Sequence, residues 1–520
     1  MLNKRRFLLI LIIALVPVAL WFLTLRFEAI VYSLFMAGCV WAWHSFKPER
    51  TTHGSARWAT RKELEGADLF NALGVVIGKL GNKLLRLGGD SHLLTVAPTR
   101  SGKGVGQIVP TLLTYKGSAF VLDVKGENYA LTAEQRRKMG QKVIVIDPEN
   151  LERSARFNPL DFVRRGSVKE TAADIGTLAE ILAPRAGEGT SAHFNMAANS
   201  LVKALLWRTV SAPRKYQHLG AMREDLARMP DDLKDLLEAI SEEVAENELN
   251  EARPYLDEQG RVKLPAVAQD AANMAGSITG EEWSGVMSTA RNATEIFSQP
   301  QVQELVSEST FSFEQMKQEP TTVYLIIKPN QLDFYKQLMR VLVGLSVDAM
   351  VRDESKPRLP VLFLLDEFAQ LGHMAVIEKG ISILAGYGVR FWIFVQDLSQ
   401  IKGKYKDGWE TLVGNCKIQS YFGITDLFTA EQLSRRLGNK TVQSRAASIS
   451  GGASAVVTMG THENVNESET GRALLTPDEI LTISPSLQII TISGLRPVLA
   501  QKVRYFADSR FKRKAGKWNQ

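Results

Sequence analysis

The chain has 520 residues, 45% of them hydrophobic and 23% charged, which allows two or three domains with sizeable cores and excludes a disordered or low-complexity protein. Only two cysteines are present, Cys39 and Cys416, so neither a disulfide framework nor a cysteine-based metal site is implied. The net charge of +7 suggests a nucleic-acid binder until it is located: residues 501–520 carry +6, residues 1–50 carry +4, and residues 51–500 sum to −3.

At the N-terminus, residues 7–25 and 29–46 form two apolar stretches, each close to the about 20 residues that span a bilayer. Arg26, Phe27 and Glu28 alone separate them. No small-residue cleavage site follows the first, so a helical hairpin is expected rather than a signal peptide. Lys4, Arg5 and Arg6 precede the pair and Arg50, Arg57, Arg61 and Lys62 follow it, which predicts both ends in the cytoplasm. Trp21, Trp41 and Trp43 are expected near the interfaces, and everything from about residue 50 onward in the cytosol.

Next, Leu93-Leu94-Thr95-Val96 predicts a strand that runs into a tight basic loop and then a helical pattern. Such a corner binds phosphate: backbone N–H groups converge on it and the helix dipole adds positive potential. The candidate phosphate-binding residues are Pro98, Thr99, Arg100, Ser101, Gly102, Lys103, Gly104 and Val105, with the Lys103 ammonium reaching the β/γ oxygens. The match departs from the generic P-loop at two places. Ala97 replaces the first glycine, and Gly104 stands where a Ser or Thr hydroxyl normally holds Mg²⁺. A plain strand-to-helix turn is the alternative.

Strands follow at residues 118–122 and 142–146. At the first of these ends, Asp123 is placed either to approach Mg²⁺, with Lys125 near a phosphate, or to sit in a charged turn. Residues 168–310 change character, with helical periodicity over 172–182, 195–210, 231–248 and 281–297. Within them, residues 221–260 carry a net −9, a face that repels DNA and suits a basic protein partner or solvent alone. Further strands are predicted at 322–327, 361–365, 391–395, 417–422 and 487–493, and the Ser/Gly-rich stretch 446–469 reads as a loop.

The 361–365 strand is wholly apolar and ends in Asp366-Glu367, the Walker B arrangement. Asp366 is the candidate Mg²⁺ ligand and Glu367 the group that polarises water, both catalytic candidates together with Lys103. Gln396, at the tip of the next strand, is a candidate sensor of the γ-phosphate. These pieces predict an α/β fold: a RecA-like P-loop nucleotide-binding domain with an inserted all-α domain, preceded by two transmembrane helices. The expected division is 1–50 for the membrane hairpin, 51–167 and 311–505 for the two parts of the nucleotide-binding domain, 168–310 for the insertion and 506–520 for a basic C-terminal tail. No internal repeat and no HExxH is present.

Seven ordered segments resemble the coupling-protein ATPases of type IV secretion and conjugation, the TraG/VirD kind. They are the stretches beginning at His53, Thr99 (through Gly106, into Pro110), Asp123, Phe157, Leu365, Gly414 and Leu474. In that family glycine after the P-loop lysine is familiar. The resemblance implies ATP and Mg²⁺ as cofactors and a multi-pass protein of the bacterial inner membrane, in contact with its lipid, with both termini cytoplasmic. It also implies a homo-hexamer that engages secretion-channel components, takes relaxosome or effector proteins through the all-α domain, and contacts DNA. A neighbouring subunit would present an arginine, for which Arg390, Arg435 and Arg436 are candidates. The rival readings are an FtsK-like membrane-anchored DNA translocase and a nucleotide-dependent substrate receptor that does not hydrolyse.

Overall fold

A computed structural model describes residues 15–16, 27–45, 51–70, 73–185, 190–249, 255–257, 261–448 and 464–518. They divide into two units: one comprises residues up to Ala56 with Leu437–Leu474, the other Arg57–Arg436 with Leu475–Gln520.

The larger unit is built on an eleven-stranded sheet. Its strands, in chain order, are β1 (Val75–Leu80), β2 (Lys83–Leu87), β3 (Leu93–Val96), β4 (Ala119–Asp123), β5 (Lys142–Ile146), β6 (Thr321–Ile326), β7 (Val361–Leu365), β8 (Val389–Val395), β9 (Ile418–Tyr421), β12 (Leu487–Ile492) and β13 (Val498–Gln501), arranged β2-β1-β13-β12-β9-β3-β8-β7-β4-β6-β5. The seven strands from β9 to β5 pair in parallel, and β12, β13, β1 and β2 extend the sheet antiparallel. β3, β4, β6, β7 and β8 are buried at every position; β7 is wholly apolar and the others mostly so, with Thr95, Asp123, Thr321, Thr322 and Arg390 as buried polar members. The β1–β2 hairpin, not anticipated from hydropathy, turns at Gly81-Asn82, and β13 returns from β12 through Gly494.

Helices span Val168–Leu182, Thr190–Ser211, Leu219–Leu226, Pro230–Leu249, Ala266–Gly276, Gly280–Thr294 and Pro300–Leu305, so the described residues between β5 and β6 are mainly helical, as their periodicity predicts. The first is capped by the Ser167 hydroxyl on the Glu170 N–H. The basic C-terminal residues do not form a solvated end up to residue 518. Phe511 is buried with Val76, Leu113, Leu131 and Val503, Trp518 packs against the same cluster, and the Gly516 N–H donates to Leu131 O at 2.8 Å. Two aromatics are enough to fold this cationic segment down.

In the smaller unit, β10 (Asn439–Ser448) and β11 (Asn464–Ala473) form an antiparallel ribbon. Residues 54–56 join it through Ala56 N–H to Asn439 O at 2.9 Å and Thr441 N–H to Gly54 O at 3.2 Å. The expected loop 446–469 thus has strand at both ends, and residues 449–463 lie outside the described residues. A helix runs Phe27–Ser45 with Val31, Leu34, Phe35 and Trp41 exposed. Among the described residues no helix is long and apolar enough to cross a membrane, since Glu28 and His44 dilute this one near its ends. The first apolar stretch, 7–25, lies outside the described residues except for Leu15 and Val16.

One buried cation ties the sheet together. Arg136, on the helix Glu127–Lys138, donates Nε to Thr322 Oγ1 at 2.8 Å, Nη2 to Gly117 O at 2.7 Å and Nη1 to Leu112 O at 3.3 Å and to Tyr115 O. Arg136→Ala should lower stability by about 3–5 kcal/mol, because three carbonyls and a hydroxyl lose a buried partner. The urea midpoint reads this, and Arg136→Lys is expected to recover only part of it because an ammonium lacks the planar fork.

Candidate nucleotide site

The loop after β3 is shaped by two residues with positive φ, Arg100 at 62° and Gly102 at 100°. At Gly102 a side chain would be strained, so the glycine is demanded by the turn. Lys103 opens the helical segment, which continues as a π-turn over Gly104–Ile108 and an α-helix over Val109–Leu112. A Cβ at Gly104 would meet nothing within 4 Å, so packing does not exclude a serine there. Beneath the corner runs a buried polar chain: Trp392 Nε1 donates to Thr95 Oγ1 at 2.9 Å, and Thr95 Oγ1 to Gln107 Oε1 at 2.8 Å.

The structure brings together all four residues singled out for catalysis. Lys103 Nζ lies 3.1 Å from Glu367 Oε1 and 3.9 Å from Asp366 Oδ1. Gln396 Nε2 donates to Glu367 Oε2 at 3.1 Å. Glu367 adopts the left-handed region at φ 55°, a strain of order 1–3 kcal/mol for a residue with a side chain. Burial pushes the Asp366 carboxyl up to about 6, opposed by the Lys103 charge and assisted by Glu367. Asp366 Oδ1 is buried without a hydrogen-bond partner.

That oxygen is the observation on which a metal can be tested. Among the described residues no group of three or more His, Cys, Asp or Glu could hold a metal ion by itself. One hard, unpartnered carboxylate oxygen beside a phosphate-binding corner fits Mg²⁺, which takes one or two carboxylates and completes its shell with waters and substrate phosphates.

Asp123 is committed differently. Its Oδ1 accepts from Gly126 N–H at 3.0 Å and Asn128 Nδ2 at 3.4 Å, and its Oδ2 from Tyr129 N–H at 2.8 Å. These bonds tie it to the first turn of the helix Glu127–Lys138, whose N-cap is Gly126, as the charged-turn reading expects. Lys125 beside it is exposed.

Arg390 is also a correction. It is 1% exposed, sits at the start of β8, and donates to Ser91 O at 2.8 Å, Gly88 O at 2.7 Å and Leu87 O at 3.1 Å. Buried at the opposite edge of the sheet from Gln396, it cannot be presented to a neighbour. Arg435 and Arg436 are exposed on the helix Leu427–Leu437, with Arg436 bonded to Gln419 Oε1.

Sequence reasoning missed the residues flanking the loop. Gly423, with φ 64°, would bring a Cβ within 3.2 Å of the Ser101 Cβ, and Lys502 Nζ donates to Ser101 O at 2.8 Å. The signal was present in part: Val498-Leu-Ala-Gln501 repeats a strand pattern after a Gly494 turn, which places Lys502 at a strand end.

A parallel-rich sheet whose edge joins a phosphate-binding corner to a paired acid defines an α/β protein of RecA-like fold. The chain belongs to the type IV secretory system conjugative DNA transfer family, whose match covers residues 57–520. It is 29% identical over 519 residues to the conjugal transfer protein TraG of Escherichia coli, covering 91% of this chain and 79% of that one. It is 32% identical over 478 residues to the protein VirD4 of Rhizobium rhizogenes, covering 89% and 67%. Among solved structures it resembles the bacterial conjugative coupling protein TrwBdeltaN70, unbound, with TM-score 0.64 at 15% identity over 88% of this chain and 95% of that one. The plasmid coupling protein TrwB in complex with ADP and Mg²⁺ gives TM-score 0.62 at 15% identity over 86% and 94%.

The raised acids set a pH dependence. Asp366 and Asp123 both move from an ordinary 3.8 to about 6 through burial, so the folded chain holds protons that the unfolded chain has released between those values. Their contribution to stability therefore falls as pH rises from about 4 to about 6 and is lowest above that window. Asp366→Asn should raise the stability of the nucleotide-free protein by on the order of 1–2 kcal/mol above pH 6, a gain that shrinks to nothing toward pH 4. Thermal midpoints across pH 4–8 check it.

Proposed function

We propose that this chain is a membrane-anchored ATPase that couples ATP hydrolysis to the delivery of protein or nucleoprotein substrates into a type IV secretion or conjugation channel. The observation that carries the reading is the Lys103 ammonium held 3.1 Å from the Glu367 carboxylate at the open edge of a parallel sheet. Family membership supplies the transport context. That TrwB binds ADP with Mg²⁺ supports the same ligands here.

In this reading residues 98–105 wrap the phosphates, those after Pro98 with backbone N–H groups, and Lys103 leaves the carboxylates to meet the β/γ oxygens. When bound through Asp366, Mg²⁺ supplies Lewis-acid charge neutralisation to the phosphate oxygens. Glu367 accepts a proton from the attacking water and is oriented by the Gln396 amide, which senses the γ-phosphate through the same hydrogen bond. Exposed Arg435 and Arg436 are the arginines left to act in trans within a homo-hexamer.

The helical segment 168–310 serves as an inserted domain that receives cargo, with its acidic residues 221–260 favouring basic protein surfaces and relaxosome or effector proteins over bare DNA. Residues 1–50 form an inner-membrane hairpin with both termini cytoplasmic. The exposed apolar side chains around helix Phe27–Ser45 support this, since such a helix needs an apolar surround.

Two substitutions in the full chain test the reading. Lys103→Ala should abolish nucleotide binding and cargo transfer while membrane fractionation is unchanged, and normal transfer by that variant would refute it. Glu367→Gln should retain nucleotide binding but slow Mg²⁺-dependent phosphate release by about 10²–10⁴-fold. Absence of phosphate release from the parent oligomer would favour a non-hydrolysing receptor, and double-stranded DNA as the sole effective stimulant would favour an FtsK-like translocase.

A further inference from the structure

The segment after β13 lies along the corner formed by the phosphate-binding loop and its helix. The Lys502 N–H is fixed to Ser486 O at 2.9 Å, and the Tyr505 N–H donates to Val105 O at 3.4 Å. Between them, Val503 O sits 3.2 Å from where a Cβ on Gly106 would stand, a close approach of the segment to the helix. The Lys502 side chain crosses the Phe422 ring at 5.0 Å and ends 2.8 Å from Ser101 O. Half-buried, it pays for its position in desolvation, which together with the nearby Arg504 charge lowers its pKa.

The bond to Ser101 O has a consequence for the next residue. A trans peptide is planar, and its C=O and N–H point to opposite sides. With the Ser101 carbonyl held toward Lys502, the Gly102 N–H of the same peptide is aimed away from Lys502. Gly102 has no side chain to oppose rotation of that peptide plane, and its φ of 100° lies where glycine alone moves without strain. Arg100 at φ 62° on the other side adds a second strained position within the loop. The plane therefore needs an external hold, and Lys502 is the side chain that provides one.

We infer that Lys502 is a positioning residue for the phosphate-binding loop: by anchoring the Ser101 carbonyl it fixes the direction of the Gly102 N–H and preorganises the nest that receives the polyphosphate. This rests on the nucleotide-binding reading above and deepens it. Lys502 acts on binding of di- and triphosphate alike and leaves the hydrolytic groups Asp366, Glu367 and Gln396 in place. A hold of this kind is a charge-assisted hydrogen bond, the strong class.

The test is carried out on the full chain with fluorescent ADP and ATP analogues, steady-state phosphate release and thermal unfolding. Lys502→Met keeps the stem over Phe422 but loses the donor and charge. It should weaken both nucleotides about tenfold, with kcat within about threefold of the parent and the nucleotide-free thermal midpoint within about 2 °C. Lys502→Arg, which retains a charged donor, should restore most of the affinity. Parental affinity in Lys502→Met, or a loss that tracks a lowered midpoint without rescue by Lys502→Arg, overturns the inference alone. If the parent itself binds neither nucleotide, the nucleotide-binding reading fails and takes this inference with it.

Discussion

The ammonium of Lys103 meets the carboxylates of Glu367 and Asp366 across a gap of more than 260 residues in sequence, and the placement of three strands follows from that meeting. β8 lies between β3 and β7, with Val96 level with Val395 and Leu365 level with Ile393. Parallel register at these pairs brings the three carboxyl ends to nearly the same height, so the loop after β3 reaches over the tip of β8 to the acids after β7. Gln396 at that tip is then within hydrogen-bond distance of Glu367 without any further device. A slip of one residue in either pairing would turn every side chain of the shifted strand to the opposite face and take the three ends out of line.

The same meeting concentrates unfavourable terms at one edge. Glu367 is held in a left-handed backbone conformation, Asp366 resists ionisation, and Lys103 is largely withdrawn from water with a side chain 8% exposed. In the nucleotide-free protein the carboxylates serve as the counter-charge that Lys103 needs. Gly104 brings no hydroxyl to this edge, and Asp366 Oδ1 is buried there without a hydrogen-bond partner, 3.9 Å from Lys103 Nζ.

The sheet core and its edge were legible because both have a local signature. Mostly apolar runs mark β3, β4, β6, β7 and β8, and the polar residues that follow the ends of β3, β7 and β8 pointed to Lys103, Asp366, Glu367 and Gln396. What escaped lacks such a signature. β1, β2 and β13 are short apolar runs interrupted by Gly78, Lys79, Lys83, Arg86 and Gln501, and tertiary pairing makes strands of them. Arg390 looked available because sequence gives charge and not depth; three carbonyls around residues 87–91 hold it inside. Lys502 was counted among the cations of a tail, since nothing near it in sequence reveals that its partner is a carbonyl some 400 residues upstream.

One helix joins the chain that follows the acids to helix Val168–Leu182. The helix Lys336–Arg352 begins near the acids, where Arg340 Nη1 donates to Leu371 O at 2.9 Å and His373 O at 2.6 Å, gripping the chain that follows Glu367. On the same helix Gln337 Nε2 donates to Ile181 O at 2.9 Å and Leu182 O at 2.6 Å, the last residues of helix Val168–Leu182. At the far end Arg352 pairs with Asp174 at 2.7 Å and lies 3.5 Å from the Phe162 ring centroid. Arg340 and Gln337 are three residues apart and so share a face and a turn. Any displacement of residues 371–373 must either break buried hydrogen bonds to Arg340 or move the helix, and moving the helix draws on the insertion through Gln337. One seventeen-residue helix thus hydrogen-bonds both to the chain that follows the acids and to the last turn of helix Val168–Leu182.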